Sequence, residues 1–229
     1  MLHWSIERKI LELKYAWAIS RNTSDKKTNL FVTVTDGSTS GIGEAAPNVR
    51  YNETPETLDT QFFGFQKEKI DLLNSMEELG EVLSRLKLCN ALAFAIESAC
   101  VHYLAKIQKK AVHDFLGLKP PGTVFTAYSI PIMDIGQMKT FYTDNKLSRF
   151  RFIKIKVNDE NALDAVSHLS QVCEQPLIID ANEAFKNVEK CIYFLERIKK
   201  RHVEFIEQPM PASMVDESIY LKKYSPFTL

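Results

Sequence analysis

The chain has 229 residues, of which 45% are hydrophobic and 25% are charged, a composition typical of a globular protein. Its 29 acidic residues balance its 29 basic residues, so nucleic acid is not an expected partner. No apolar run approaches the roughly 20 residues that a membrane span needs, and the first residues do not resemble a signal peptide. The four cysteines form no C-x-x-C pair. We therefore expect a cytoplasmic protein without a membrane partner.

The first part of the chain changes from strand patterns to helix patterns. Residues 2–50 alternate apolar and polar side chains, which predicts an antiparallel meander. Residues 54–110 have helical periodicity, and Thr54-Pro55 fits an N-cap followed by proline at the first helical position. Ser75 fits a capping box, and Asn90 is a candidate cap for a third helix. These patterns predict an α+β domain over residues 1–115.

A break follows at residues 117–122, which contain Pro120-Pro121. Strand and helix patterns then alternate at a spacing of about 25 residues, the rhythm of βαβ units in a parallel sheet. The predicted strands are Val124–Ile130, Phe150–Val157, Leu177–Ala181 and Val203–Ile206, and residues 226–229 resemble the start of a fifth. We therefore predict a second domain over residues 123–229 with about four βα units, either in a doubly wound sheet or in a (β/α) barrel.

Polar residues recur at equivalent places on three of these strands. Lys154 and Lys156 lie two apart, so they share one face of their strand. Asp180 and Asn182 follow on the next strand, and Glu207 ends the strand after that. We expect these side chains to meet at the C-terminal edge of the sheet, where barrel enzymes place their chemistry.

Two oxygen ligands without a nearby histidine or cysteine suit Mg²⁺ better than zinc. A free lysine is protonated at neutral pH, but a second ammonium group and a dication disfavour its charged form. Lys156 is therefore a candidate base for removing a proton next to a carboxylate, while a metal stabilises the enediolate that forms. Each motif alone is weak evidence, but three in register on consecutive strands favour a functional site.

A glycine pattern in the first domain could be interpreted as a nucleotide-binding motif. Residues 41–46 match the dinucleotide pattern G-x-G-x-x-A. Pro47 follows at once and no helix begins there, so the helix N-terminus that would hold a phosphate is missing. We reject a dinucleotide site.

The motifs K-I-K at 154–156, I-D-A-N at 179–182 and F-I-E-Q-P at 205–209 resemble the muconate-lactonizing branch of the enolase superfamily. Residues 41–45, G-I-G-E-A, resemble a turn of that branch's capping domain. The resemblance implies an α+β capping domain followed by a (β/α)₇β TIM-like barrel, of which this chain holds the first half. It also implies Mg²⁺ with Asp180 and Glu207 as two of three carboxylate ligands. Lys156 is then the base, Lys154 its electrostatic neighbour, and Asn182 a polar residue beside the metal.

Within that branch, the chain resembles dipeptide epimerases of the L-Ala-D/L-Glu type. Residues 19–21, 47–54 and 126–129 resemble substrate-binding segments of that family. Arginine binds a carboxylate bidentately, so Arg21 suits an acidic side chain of a substrate, although it also fits a solvated loop. The substrate-binding candidates are Arg21, Arg50, Tyr51, Thr126 and Ser129, with a structural role as the other interpretation of Arg50. The alternatives are a cycloisomerase, an o-succinylbenzoate synthase, an N-acylamino acid racemase, or a non-catalytic fragment that serves as a binding module.

The resemblance places further functional groups beyond residue 229. They are a third metal ligand on the fifth barrel strand, a second catalytic lysine on the sixth, and an acidic motif on the eighth. We therefore expect a C-terminally truncated chain that does not epimerise a dipeptide as it stands. An open half barrel leaves strand edges and an apolar face unpaired, so we also expect self-association.

Overall fold

A computed structural model describes residues 1–20, 22–68, 70 and 75–229. The strands are β1 (His3–Ile19), β2 (Asn22–Thr35), β3 (Ser40–Ala45), β4 (Ala127–Ile130), β5 (Phe152–Lys156), β6 (Leu177–Asp180) and β7 (Val203–Glu207). The helices are α1 (Pro55–Gln66), α2 (Met76–Leu86), α3 (Asn90–Ile107), α4 (Val112–Phe115), α5 (Met138–Asp144), α6 (Ala162–Leu169), α7 (Val188–Ile198) and α8 (Val215–Tyr224). In the described part of the chain, no helix has both the length and the apolar content to cross a bilayer.

The chain packs into two compact units. The first consists of Met1–Glu12 and Lys26–Gly122, and the second of Leu13–Asp25 and Thr123–Leu229. Residues 13–25, which the sequence analysis assigns to the first domain, therefore lie with the second unit. The domain limits of 1–115 and 123–229 stay a prediction.

In the first unit, helix α3 packs unusually closely on strand β3. A Cβ atom added to Gly41 would lie 2.0 Å from the carbonyl oxygen of Ala99, and one added to Gly43 would lie 2.0 Å from that of Ala95. No other residue type fits this approach without moving the helix. The G-x-G motif thus has a packing role, in agreement with the rejection of a dinucleotide site.

The helix caps of the first unit agree with the sequence in two of three cases. The hydroxyl of Thr54 accepts the N–H of Thr57, and that of Ser75 accepts the N–H of Glu78. The prediction of Asn90 as a cap was wrong, because Asn90 is already inside α3 and Cys89 occupies the N-cap position.

The second unit contains a four-stranded parallel sheet in the order β4-β5-β6-β7. Alternate residues of β5 point to opposite faces, and Ile153, Ile155 and Val157 are fully buried in the core that the helices share. Thr228 forms a parallel β-bridge with Phe205 of β7. The N–H of Ile206 donates to the carbonyl oxygen of Thr228 at 2.9 Å. The predicted start of a fifth strand and the predicted fold class are confirmed.

Candidate active site at the ends of the parallel strands

The polar residues singled out in the sequence form one row across the sheet. Lys156 on β5 lies opposite Asp180 on β6, and Asp180 lies opposite Glu207 on β7. Lys154 lies one step back on the same face as Lys156, opposite Ser129 of β4. Opposed residues of parallel strands project to the same side, so the row places these groups together at the C-terminal edge.

The lysines and carboxylates of this row are paired. The Lys154 ammonium lies 2.6 Å from Oε2 of Glu207 and 2.9 Å from Oδ2 of Asp180. The Lys156 ammonium donates to Oδ2 of Asp180 at 2.5 Å and to Oδ1 of Asn182 at 3.1 Å. The side chain of Asp180 is only 1% exposed, whereas that of Glu207 is 37% exposed. The buried carboxylate therefore pairs with both lysines, and the more exposed one pairs with Lys154.

The backbone at the ends of β6 and β7 is bent to allow these contacts. Asn182, Glu183 and Gln208 have left-handed φ values of 45°, 68° and 44°, a region that L-residues rarely adopt. The Asn182 N–H donates to Oδ1 of Asp180 at 3.0 Å, and the Glu183 N–H donates to the Gln208 carbonyl at 2.7 Å. Gln208 also accepts a longer bond from the Asn182 amide, at 3.4 Å. These links were not predicted, because no sequence signal identifies left-handed Asn, Glu and Gln.

The ion pairs change how readily these groups ionise. Burial on its own lowers the pKa of Lys154, but its hydrogen bonds to Glu207 and Asp180 outweigh burial and leave that pKa raised. Burial on its own raises the pKa of Asp180, but its hydrogen bonds from Lys156 and Lys154 outweigh burial and leave that pKa lowered. Both groups are thus held in their charged forms by each other.

The two carboxylates of the row, those of Asp180 and Glu207, are suitable ligands for a hard cation, although they are few. Among the described residues, no group of three or more His, Cys, Asp and Glu side chains could hold a metal ion. Asp180 and Glu207 already converge on one cation, the Lys154 ammonium. Two carboxylates that share a cation in this way are suitable ligands for Mg²⁺, whose remaining ligands are commonly water and substrate oxygens.

One contact joins the β1–β2 hairpin to this edge of the sheet. The hydroxyl of Ser20 donates to the carbonyl oxygen of Asn182 at 2.9 Å, and both residues belong to the second unit. Ser20 belongs to a segment that was predicted to bind substrate, but this bond was not predicted. Arg21, the next residue and a predicted carboxylate-binding group, lies outside the described residues.

The other predicted substrate-binding residues are distributed more widely. Ser129 lies on β4 opposite Lys154 and is half-buried. Thr126 was expected on the first barrel strand, but β4 begins at Ala127, so Thr126 is exposed at the N-terminal edge, away from the row. The start of the strand therefore differs from the prediction by a few residues, and a substrate-binding role for Thr126 stays a prediction. Arg50 and Tyr51 are exposed in a 3-10 turn of the first unit.

A cavity of about 670 Å³ lies elsewhere in the second unit. Its walls include Tyr15 and Ala18 of the hairpin, Met133 after β4, and Phe141 of α5. Neither lysine of the row lines it, so the cavity is separate from the polar row.

Comparison with known proteins gives consistent relatives. No family model matches the chain. An L-Ala-D/L-amino acid epimerase of Pedosphaera parvula is 30% identical over 230 residues, which are 96% of this chain and 65% of that protein. Another, from a Maribacter species, is 27% identical over 209 residues, which are 91% of this chain and 61% of that protein. The chain thus spans less than two thirds of the length of these curated relatives.

Solved structures agree with these relatives. An enolase family member from Agrobacterium tumefaciens, described as having homology to dipeptide epimerases, superposes with a TM-score of 0.82 at 26% identity. The match covers 93% of this chain and 63% of that one. Two further structures show the shared fold at lower identity. One is a dipeptide epimerase of Enterococcus faecalis complexed with Mg and L-Leu-L-Tyr (TM-score 0.85, 20% identity, 96% of this chain and 64% of that one). The other is a muconate lactonizing enzyme of Pseudomonas fluorescens (TM-score 0.78, 19% identity, 97% and 64%).

The motifs on consecutive strands, the two-part fold and these relatives agree with one another. The chain is similar to curated L-Ala-D/L-amino acid epimerases and to an enolase family member, and it shares the fold of a muconate lactonizing enzyme.

Proposed function

We propose that this protein is a Mg²⁺-dependent dipeptide epimerase, which removes a proton from the carbon next to a carboxylate. The observation that carries the proposal is the convergence of two lysines and two carboxylates at neighbouring strand ends. The names of the curated relatives support the choice of reaction within the branch. Because the chain spans less than two thirds of those relatives, the proposal concerns the protein that the whole reading frame encodes.

In this proposal, Lys156 is the base: in its neutral amine form it takes the α proton on its Nζ atom and becomes an ammonium group. It is held in place from two sides, by Asp180 at 2.5 Å and by the Asn182 side chain at 3.1 Å. These contacts fix the direction of the Lys156 side chain. A fixed direction matters because proton transfer requires the base to lie within about 3 Å of the carbon atom that carries the proton. Lys154, on the same face, is suited to orienting the substrate carboxylate.

Asp180 and Glu207 would hold the metal, and Asn182 would line its surroundings. When bound, Mg²⁺ supplies positive charge that stabilises the negative charge developing on the substrate carboxylate. The left-handed backbone at Asn182 and Gln208 supports this role, because it keeps the ends of β6 and β7 joined by hydrogen bonds. Strained backbone of this kind is often found at functional sites.

The substrate-binding residues of this proposal are Arg21, Arg50, Tyr51, Thr126 and Ser129. Ser129 has the most direct support, since it lies opposite Lys154 on the neighbouring strand. An arginine would select a carboxylate-bearing side chain by bidentate hydrogen bonds. We therefore expect a dipeptide with an acidic residue to be preferred.

The test is solvent deuterium uptake at the α carbon of dipeptides in the presence of Mg²⁺. The protein encoded by the whole reading frame is incubated with L-Ala-L-Glu in D₂O, and uptake is followed by NMR. Loss of the base in Lys156→Gln should reduce uptake by about 100-fold or more. The control Lys190→Gln removes a surface lysine whose partner is Asp159, and uptake should not change. Absence of uptake into any dipeptide would contradict the proposal, and uptake only into N-acylamino acids would favour another member of the branch.

Two further parts of the proposal concern the state of the protein. We infer self-association, because Phe152, Ile178 and Phe205 remain partly exposed on the face that carries the lysines. Light scattering tests this, and monodisperse monomers would contradict it.

We also infer a cytoplasmic location, because all four cysteines are free thiols, as in reducing compartments. Fractionation of the source cells tests that inference, and recovery outside the cytoplasm would contradict it.

A further inference from the structure

The position of Lys154 differs from that of Lys156 in one respect. The Lys154 ammonium contacts both carboxylates, at 2.6 Å from Glu207 and 2.9 Å from Asp180. The Lys156 ammonium contacts Asp180 and the amide oxygen of Asn182. Only Lys154 therefore lies between the two groups that a metal would have to join.

We propose that Lys154 is a built-in counter-cation, whose ammonium occupies the position between Asp180 and Glu207 that a divalent cation must take. The inference rests on the proposed function, because it concerns the same two carboxylates as metal ligands. It states that Lys154 cannot keep its contacts with Asp180 and Glu207 while a metal ion is bound to them.

Charge balance supports mutual exclusion. Two ammonium groups and two carboxylates make the row neutral as the structure shows it. A dication added to the row, with Lys154 unmoved, would place like charges within a few ångströms in a largely buried site. Repulsion at such distances is strong where water is excluded. Movement of Lys154 away from the carboxylates relieves that repulsion.

The surroundings of Lys154 leave its ammonium group accessible from solvent. Its side chain is 20% exposed, so its ammonium is not enclosed by the core. Its strand position faces the side of the sheet that also carries Ser129. A displaced ammonium would remain on this face, where a substrate carboxylate could pair with it. Metal binding would thus convert Lys154 from a partner of the protein's carboxylates into a partner of the substrate's.

The test compares Mn²⁺ binding, measured by electron paramagnetic resonance at constant pH and ionic strength, among four forms of the chain. These are the unmodified chain, Lys154→Gln, Lys156→Gln and Lys190→Gln. Each substitution removes one positive charge, but only Lys154→Gln clears the position between the carboxylates. We expect Lys154→Gln to tighten Mn²⁺ binding about tenfold, Lys156→Gln to tighten it much less, and Lys190→Gln to leave it unchanged.

The outcomes separate this inference from the proposed function. Equal tightening by Lys154→Gln and Lys156→Gln would show a general charge effect and overturn the inference alone. Equal affinities of the unmodified chain and Lys154→Gln would do the same. Absence of Mn²⁺ binding in every form would overturn both the inference and the proposed metal site.

A second measurement needs no substitution, in case Lys154→Gln does not fold. Reductive methylation of the unmodified chain is followed by mass spectrometry, with MgCl₂ or with NaCl of equal ionic strength. Displacement by Mg²⁺ should raise the labelling of Lys154 several-fold, while that of Lys190 stays constant. Unchanged labelling of Lys154 at Mg²⁺ concentrations that saturate the site would overturn the inference.

Discussion

The two units each contain one close contact on which their architecture depends, and the two contacts are of opposite kinds. In the first unit, α3 approaches β3 over Gly41 and Gly43, where an added Cβ would lie 2.0 Å from a carbonyl oxygen. In the second, the ends of β5, β6 and β7 are held by lysine–carboxylate pairs. One contact requires the absence of side chains, and the other requires long charged side chains.

The two contacts differ in whether they can be exchanged for other contacts. A steric contact between backbone and helix is satisfied in one arrangement only, because protein interiors are close-packed. Ion pairs can be exchanged for other ion pairs when a cation or an anion arrives. The first unit therefore has the properties of a scaffold, while the polar row of the second is able to respond to ligands. Substitutions at each contact can test this comparison.

The largest effect is expected from Asp180→Ala. Asp180 is the 1% exposed carboxylate that both lysines contact, so its removal leaves two ammonium groups close together without their shared partner. Loss of one member of a buried ion pair typically costs about 3–5 kcal/mol of unfolding free energy, measurable by urea denaturation. The control Asp159→Ala removes the exposed pair with Lys190 and should cost less than about 1 kcal/mol. Equal losses in both variants would contradict the central role of Asp180.

A smaller loss is expected from Gly41→Ala in the first unit. The added methyl group meets the Ala99 carbonyl and the backbone of Tyr103, so α3 has to move. Overpacking of this kind costs about 1–3 kcal/mol. The control is Gly64→Ala in α1, where an added Cβ meets no atom within 4 Å. That change should stabilise the chain by about 0.5–1 kcal/mol, because alanine favours helix. Thermal unfolding should therefore show shifts of opposite sign, and shifts of the same sign would contradict the packing role of Gly41.

Ser20→Ala sharpens the comparison at the point where the hairpin joins the polar row. The substitution removes the 2.9 Å bond to the Asn182 carbonyl, for a loss of about 1 kcal/mol. In the whole protein we expect a raised KM for acidic dipeptides with little change in kcat, because the segment that precedes Arg21 loses one of its hydrogen bonds to the strand ends. The control is Ser170→Ala, which removes a bond within one helical turn, to the Val166 carbonyl. A KM equally changed in both variants would rule out a specific role for Ser20.

The smallest effect concerns acid stability of the β2–β3 turn. Oδ1 of Asp36 accepts the N–H groups of Thr39 and Ser38, each at 2.7 Å, and these bonds hold the pKa of Asp36 well below its usual range. A lowered pKa in the folded state adds stability above the unfolded value of about 3.9, and that stability is lost as pH falls below it. The urea midpoints of the unmodified chain and Asp36→Asn should therefore differ at pH 7, and the difference should shrink progressively as pH falls below about 4. A difference that persists at low pH would contradict the assignment.

Sequence patterns were sufficient for the order of the strands in the second unit and for the row of polar residues. Alternation along β5 and the spacing to β6 and β7 depend only on local geometry, so Lys154, Lys156, Asp180 and Glu207 could be grouped correctly. The ion pairs between the lysines and the carboxylates were not predicted. They depend on the conformations of the side chains, which decide which carboxylate oxygen each ammonium group contacts. The motifs predicted lysines beside a metal, and they contained no signal that the lysines pair with the carboxylates.

The prediction of Asn90 as the cap of α3 was wrong for a different physical reason. The N–H of Cys89 donates to the side chain of Gln61 at 2.8 Å, and the N–H of Ala91 donates to Glu53 at 3.1 Å. The helix start is therefore satisfied by side chains that are distant in sequence, and Glu53 is only 4% exposed. Local capping rules consider neighbouring residues alone, so they selected Asn90 instead.

The assignment of residues 13–25 to the second unit has a consequence for how such proteins can be recombined. The chain passes from one unit to the other after Glu12, after Asp25 and again after Gly122. A crossover between related genes at the position of residue 122 would exchange the parallel sheet without the hairpin segment that packs with it. The hairpin of one parent would then meet the strand ends of the other, and the bond between Ser20 and Asn182 would have to form between sequences of different ancestry. Chimeras of this family should therefore be built with two crossovers, so that the hairpin is inherited together with the sheet.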